Sequence, residues 1–172
     1  MADQTMAANK LSEKVVLDGR EDELNDYLDI YTIKDSTDII AASVVTTEGE
    51  TSPDVDLCAG GEAPAGILLG YANEADKKAS YSLGVTIGYT KLAKVLRRTG
   101  GRVRVQVIIN RSATACAALV KGDPLYCSVT NAGQVSGVKP TTANIEALRF
   151  LGYVDEAVAA TVTANKVITM RY

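Results

Sequence analysis

Two pairs of closely spaced carboxylates, Asp54/Asp56 and Asp155/Glu156, are the nearest approach in this chain to an acid–base constellation. Two acids suffice for glycoside hydrolysis, but acids one or two residues apart in turn-rich sequence read more simply as surface or turn residues. The chain contains no histidine, so the commonest general base and the commonest zinc ligand are missing. Cys58, Cys116 and Cys127 lie in apolar company (DLCAG, TACAA, LYCSV) with no zinc spacing between them, and they read as buried reduced thiols. Ser112 has no nucleophile-elbow context, and the glycine pairs at 60–61 and 100–101 lack the lysine of a phosphate-binding loop. Asp22, Asp26 and Asp29 fall on one side of a helical spacing that could hold a cation, but a solvated acidic face explains them better. No catalytic or cofactor-binding constellation survives, and a non-enzymatic protein without cofactor or metal is expected.

Charge is segregated along the chain. Residues 1–76 carry 17 acids and 4 bases, residues 77–122 carry 10 bases and no acid, and residues 123–172 balance at 4 and 4. The basic zone raises nucleic-acid binding, since clustered Lys and Arg are all that phosphate contacts require. It offers only Tyr81 and Tyr89 for stacking, in a chain that is acidic overall at a net charge of −3, so no nucleic-acid partner is expected. Such zones either fold against each other and cancel within one chain or form complementary faces that steer one subunit onto another. Arg97, Arg98, Arg102 and Arg104 are the candidate inter-subunit contacts. No apolar run approaches the roughly 20 residues of a membrane-spanning helix, and the start has no apolar block of the secretory kind. No membrane partner and a cytoplasmic site of synthesis are expected.

The elements that must position these residues read mainly as strands. Residues 1–14 are polar and patternless and suit an arm. Leu24, Tyr27, Leu28 and Tyr31 follow i, i+3, i+4, i+7 spacing, which predicts a short amphipathic helix. From Thr32 the pattern turns β-branched and is punctuated by Pro and Gly. Residues 102–109 alternate, with Val103, Val105, Val107 and Ile109 facing a core and Arg102, Arg104 and Gln106 facing out. Residues 167–172 read as a terminal strand. Thr90 to Arg98 look helical, with Gly100-Gly101 as the stop.

An internal echo organises these pieces. Leu69-Gly70-Tyr71-Ala72-Asn73-Glu74-Ala75 matches Leu151-Gly152-Tyr153-Val154-Asp155-Glu156-Ala157 at five of seven positions. Each copy is preceded by a cysteine (Cys58, Cys127) and, earlier, by an Ala-Ala-x-Val segment (Ala41-Ala42, Ala117-Ala118). Each also ends on an alternating strand. Two related β modules, sandwich or barrel-like, are therefore predicted at 32–109 and 110–172, after an arm and short helix at 1–31. Residues 76–101 form a helix or hairpin inserted in the first module. Gly70 should superpose on Gly152 and Tyr71 on Tyr153. The Leu-Gly-Tyr step suits a strand that bends or bulges where another chain crosses closely.

Ala117 to Tyr126, containing Gly122-Asp123-Pro124-Leu125-Tyr126, resembles the Gly-Asp-x-[Val/Leu]-Tyr segment of small tailed-phage capsid decoration, or cement, proteins. The likeness continues through the Thr/Gly/Ala-rich stretch Ser128 to Asn144, the Leu-Gly strand within Phe150 to Ala164, and the terminal strand Lys166 to Tyr172. It covers about 60 residues firmly and the first module loosely. The predicted N-terminal helix and the 76–101 insertion depart from it. The resemblance implies an accessory β protein on the virion exterior that binds the major capsid protein and reinforces the lattice, commonly as a trimer or dimer. Other virion parts (tail-tube or head–tail joining proteins) and a carbohydrate- or cell-surface-binding β module are the alternatives.

Overall fold

A computed structural model of the chain describes residues 15–17, 24–34, 38–47, 54–59, 62–72, 86–88, 90–101, 103–109, 118–141, 149–159 and 167–172. Within them the protein is mainly β. The strands are β1 (Leu28–Ile33), β2 (Ile39–Ile40), β3 (Val44–Thr47), β4 (Asp54–Leu57), β5 (Gly66–Tyr71), β6 (Thr86–Ile87), β7 (Leu92–Leu96), β8 (Arg104–Ile108), β9 (Pro124–Cys127), β10 (Val135–Ser136), β11 (Phe150–Val154) and β12 (Val167–Arg171). β1, β4, β3, β5 and β7 close, in that order, into a barrel. A second sheet has the order β10-β9-β11-β12-β8, and a parallel bridge from Ile109 to Val135 joins its two edges. β2 and β6 form a separate two-stranded sheet, with Ile39 and Ile87 in the same core.

The two groupings agree strand for strand. Setting β8 on β1, β10 on β4, β9 on β3, β11 on β5 and β12 on β7 reproduces the order and every strand direction, including the single parallel contact. Register agrees as well. Placing Ile109 on Ile33 puts Arg104 on Leu28, and cross-strand partners then put Arg171 on Leu96 and Tyr153 on Ile67. The next steps put Pro124 on Val44 and Val135 on Val55. Val55 is the partner of Ile33 and Val135 that of Ile109, so the circuit closes without a slip.

This register corrects the expected superposition. Gly152 falls on Gly66, not on Gly70. The two share one steric duty: a Cβ at Gly66 would run into the carbonyl oxygen of Leu96, and one at Gly152 into that of Arg171. The echoed Leu-Gly step nevertheless bulges in both copies, at Leu69 where β5 meets β7 and at Leu151 where β11 meets β9. The motif therefore marks a bulged strand, but against different neighbours.

Neither predicted helix forms. A 3-10 turn at Asn25–Tyr27 runs straight into β1, whose β-branched and aromatic LDIYTI pairs along its length with β7. Residues 92–96 of the expected inserted helix are β7 itself, lying between β5 and β1, with Ala93 and Val95 buried. Lying between two barrel strands, β7 is part of the barrel and not an insertion. The strand expected to end the first module, β8, hydrogen-bonds to β12 of the second sheet. Val103, Val105, Val107 and Ile109 are buried as expected, but so is Gln106. Its N–H donates to the Val15 carbonyl, because residues 15–17 lie along the far side of β8.

The buried apolar residues of both groupings form one continuous core. Main-chain bonds cross between them: the Gly133 N–H donates to Cys58 O at 2.9 Å, and the Val44 N–H donates to Gly133 O at 2.8 Å.

Candidate functional site

The feature that separates the two halves is the outer edge of β1. The Ile33 N–H donates to Lys91 O, and Ile33 and Tyr27 accept from the Thr90 and Arg97 N–H groups, so the odd-numbered residues of β1 face β7. The Lys34 N–H donates to Val55 O on the opposite side. By the alternation of a strand, Leu28 and Ile30 direct their N–H and C=O groups to that opposite side. β4 pairs there only with Thr32 and Ile33. Among the described residues, nothing pairs with the edge at Leu28 and Ile30.

The equivalent edge of β8 is filled. Arg104 and Gln106 are the counterparts of Leu28 and Ile30. Arg104 O accepts from the Leu17 N–H at 2.9 Å and the Gln106 N–H donates to Val15 O at 2.7 Å, with Val16 bridged antiparallel to Val105. The covering strand makes a large difference to exposure: Gln106 is 3% exposed and Ile30 is 57% exposed. Leu92, at 53%, lies diagonally across from Ile30 on the same face of the β1–β7 pair. The open edge therefore carries an apolar flank.

Three of the four candidate arginines are described, and each is engaged within its own chain. Arg97 pairs with Asp29 at 2.9 Å and donates to Asp26 O at 2.7 Å. Arg98 lies 4.4 Å from the centre of the Phe150 ring. Arg104 reaches Asp155 at 2.5 Å and Glu156 at 2.9 Å. Arg102 lies outside the described residues. Asp155, one of the carboxylates singled out in the sequence, is a buried hub that also meets Arg171 at 2.9 Å and Lys121 at 3.6 Å. Burial pushes its carboxyl up, but the hydrogen bonds from Arg104 and Arg171 outweigh it and hold the group below its ordinary value. Such a group is a structural counter-ion, not an acid poised to donate.

Two features carried no usable sequence signal. Arg149 is fully buried, and its guanidinium donates only to backbone carbonyls: Cys127, Ser128, Glu62 and Ala59. Phe150 packs edge-to-face with both Tyr126 and Tyr153. Among the described residues no group of three or more Cys, Asp or Glu side chains is arranged to hold a metal, and no helix is long and apolar enough to cross a membrane. No protein-family model and no curated protein matches the chain.

Proposed function

We propose that this chain is an adhesive structural protein, a capsid decoration protein built from two β units related by duplication. It reinforces a shell by accepting a strand from a neighbouring capsid subunit along the open edge of β1. The supporting observation is the contrast between two equivalent edges, one filled by residues 15–17 and the other, among the described residues, unpaired at Leu28 and Ile30. Strand addition supplies affinity through main-chain bonds and selectivity through side chains beside the edge, here Ile30 and Leu92. One such edge contributes little alone, and repetition over a lattice multiplies it.

The test is co-sedimentation with shells assembled from the major capsid protein of the same genome. Ile30→Lys places a charge on the edge, a device that blocks strand pairing, and should lower shell affinity at least tenfold. Val120→Lys, at a similarly exposed apolar position away from this edge, should bind as the unaltered chain does. Equal binding by both variants would remove the edge from the mechanism. Failure of the unaltered chain to bind any shell would remove the decoration reading itself.

A further inference from the structure

The two halves meet at a pair of thiols. Cys58 follows β4 of the barrel and Cys127 ends β9 of the second sheet; both are free and buried. The Cys127 Sγ lies 3.7 Å from the Cys58 carbonyl oxygen, and the Cys58 Sγ lies 3.7 Å from the Glu62 carbonyl oxygen. The backbone between them is pinned, because the Gly133 N–H donates to that same Cys58 carbonyl and Val135 pairs with Cys127. The Arg149 guanidinium grips both sides at once. Its Nε donates to Cys127 O at 3.0 Å and its Nη2 to Ser128 O at 2.7 Å, while Nη1 reaches Glu62 O at 2.9 Å and Ala59 O at 3.4 Å.

A fully buried guanidinium held only by carbonyl dipoles favours an anion beside it. The Glu62 carboxylate accepts instead from the Ala59 N–H at 2.8 Å on the exposed side of the turn. Among the described residues, the acids buried beside it are the two thiols. A hydrogen bond with Cys127 holds the Cys58 thiol below its ordinary range despite burial, and the Arg149 charge acts in the same direction. Cys127 is pushed up by that bond and by burial. The Arg149 charge beside the pair favours a thiolate there, the form that attacks a disulfide.

We propose that Cys58 and Cys127 are a reversible disulfide site joining the two β units, with a small-molecule disulfide as the reactant. The Cys58 thiolate attacks one sulfur of the small disulfide, breaking its S–S bond and expelling one thiolate, which takes up a proton. The Cys127 thiol then loses its proton and attacks the Cys58 sulfur, expelling the second small thiol. Two protein thiols are oxidised to one disulfide, and one small disulfide is reduced to two thiols. The closed bond would add a covalent tie between halves that meet through packing, a few main-chain bonds and the Arg149 side chain.

The test treats the full folded chain with oxidised glutathione, quenches with acid and an alkylating agent, and maps the peptides. The expected product links the Cys58 and Cys127 peptides and leaves Cys116 free to be alkylated. The thermal midpoint should rise by about 5–10 °C and return on reduction. Cys58→Ser should show neither the linkage nor the shift, and Arg149→Lys should form the bond several-fold more slowly. Stable mixed disulfides, pairing with Cys116, or no reaction in the folded chain while the unfolded chain oxidises would each overturn the assignment. None of these outcomes bears on shell binding, which is read separately.

Discussion

Asp155 shows how much one residue holds. It joins β8, the end of β11 and β12 through Arg104 and Arg171, with Lys121 at longer range. Asp155→Asn should destabilise the fold by about 1.5–3 kcal/mol, the range for hydrogen bonds to charged groups, measured by denaturant unfolding. Because the folded-state value is depressed, the stabilisation is fully present above the unfolded carboxylate value of about 4 and is lost as pH falls through the lower folded value. The unaltered chain should lose stability on acidification below about pH 4, and the variant should lose less over the same range. Arg149→Met should be costlier, about 3 kcal/mol or more, because four carbonyl oxygens lose a buried donor together. Neither role was legible in the sequence. A hub carboxylate looks like any other turn acid, and a lone arginine before Phe150 carries no sign that carbonyls from the other half converge on it.

At the scale of elements, the sequence supported the strands more firmly than their partners. The alternation at 103–109 and the run at 167–172 were readable because one face of each is apolar, and both are strands. The two helical readings failed because three or four apolar residues at helical spacing also occur by chance in strand-forming sequence, and cross-strand pairing then decides the outcome. Repetition was legible as similarity, yet its register was not, because the Leu-Gly bulge recurs against a different neighbour in each half. The steric match of Gly66 and Gly152 is testable. Alanine at either site should cost about 1–3 kcal/mol, as overpacking does, with similar losses in the two variants. The edge strand gives a second test. Removing residues 1–17 should destabilise the fold by about 2–4 kcal/mol, since Val15 is buried and two main-chain bonds to β8 disappear. Removing residues 1–14 alone should change stability far less.

For the molecule as a whole, the charge segregation seen along the chain is partly resolved inside it. Arg97 of the basic zone pairs with Asp29 of the acidic zone, and Arg104 pairs with the carboxylates at 155 and 156. Reversing Arg97 and Arg98 to Glu should therefore lower the thermal midpoint of the free protein, with only a weak effect of salt on attachment. The candidate site itself was not legible as a place. The idea of strand addition at an exposed edge follows from an all-β reading, but which edge is open depends on a comparison of two halves that only the pairing reveals. Backbone amide hydrogen exchange at Ile30, followed free and on assembled shells, reads that edge directly. In the free protein the Ile30 N–H should exchange fast while the Gln106 N–H, its counterpart bonded to Val15, is protected. Strand addition at β1 predicts that Ile30 becomes protected on the shell with Gln106 unchanged. Binding to the shell with Ile30 exchanging as fast as before would contradict it.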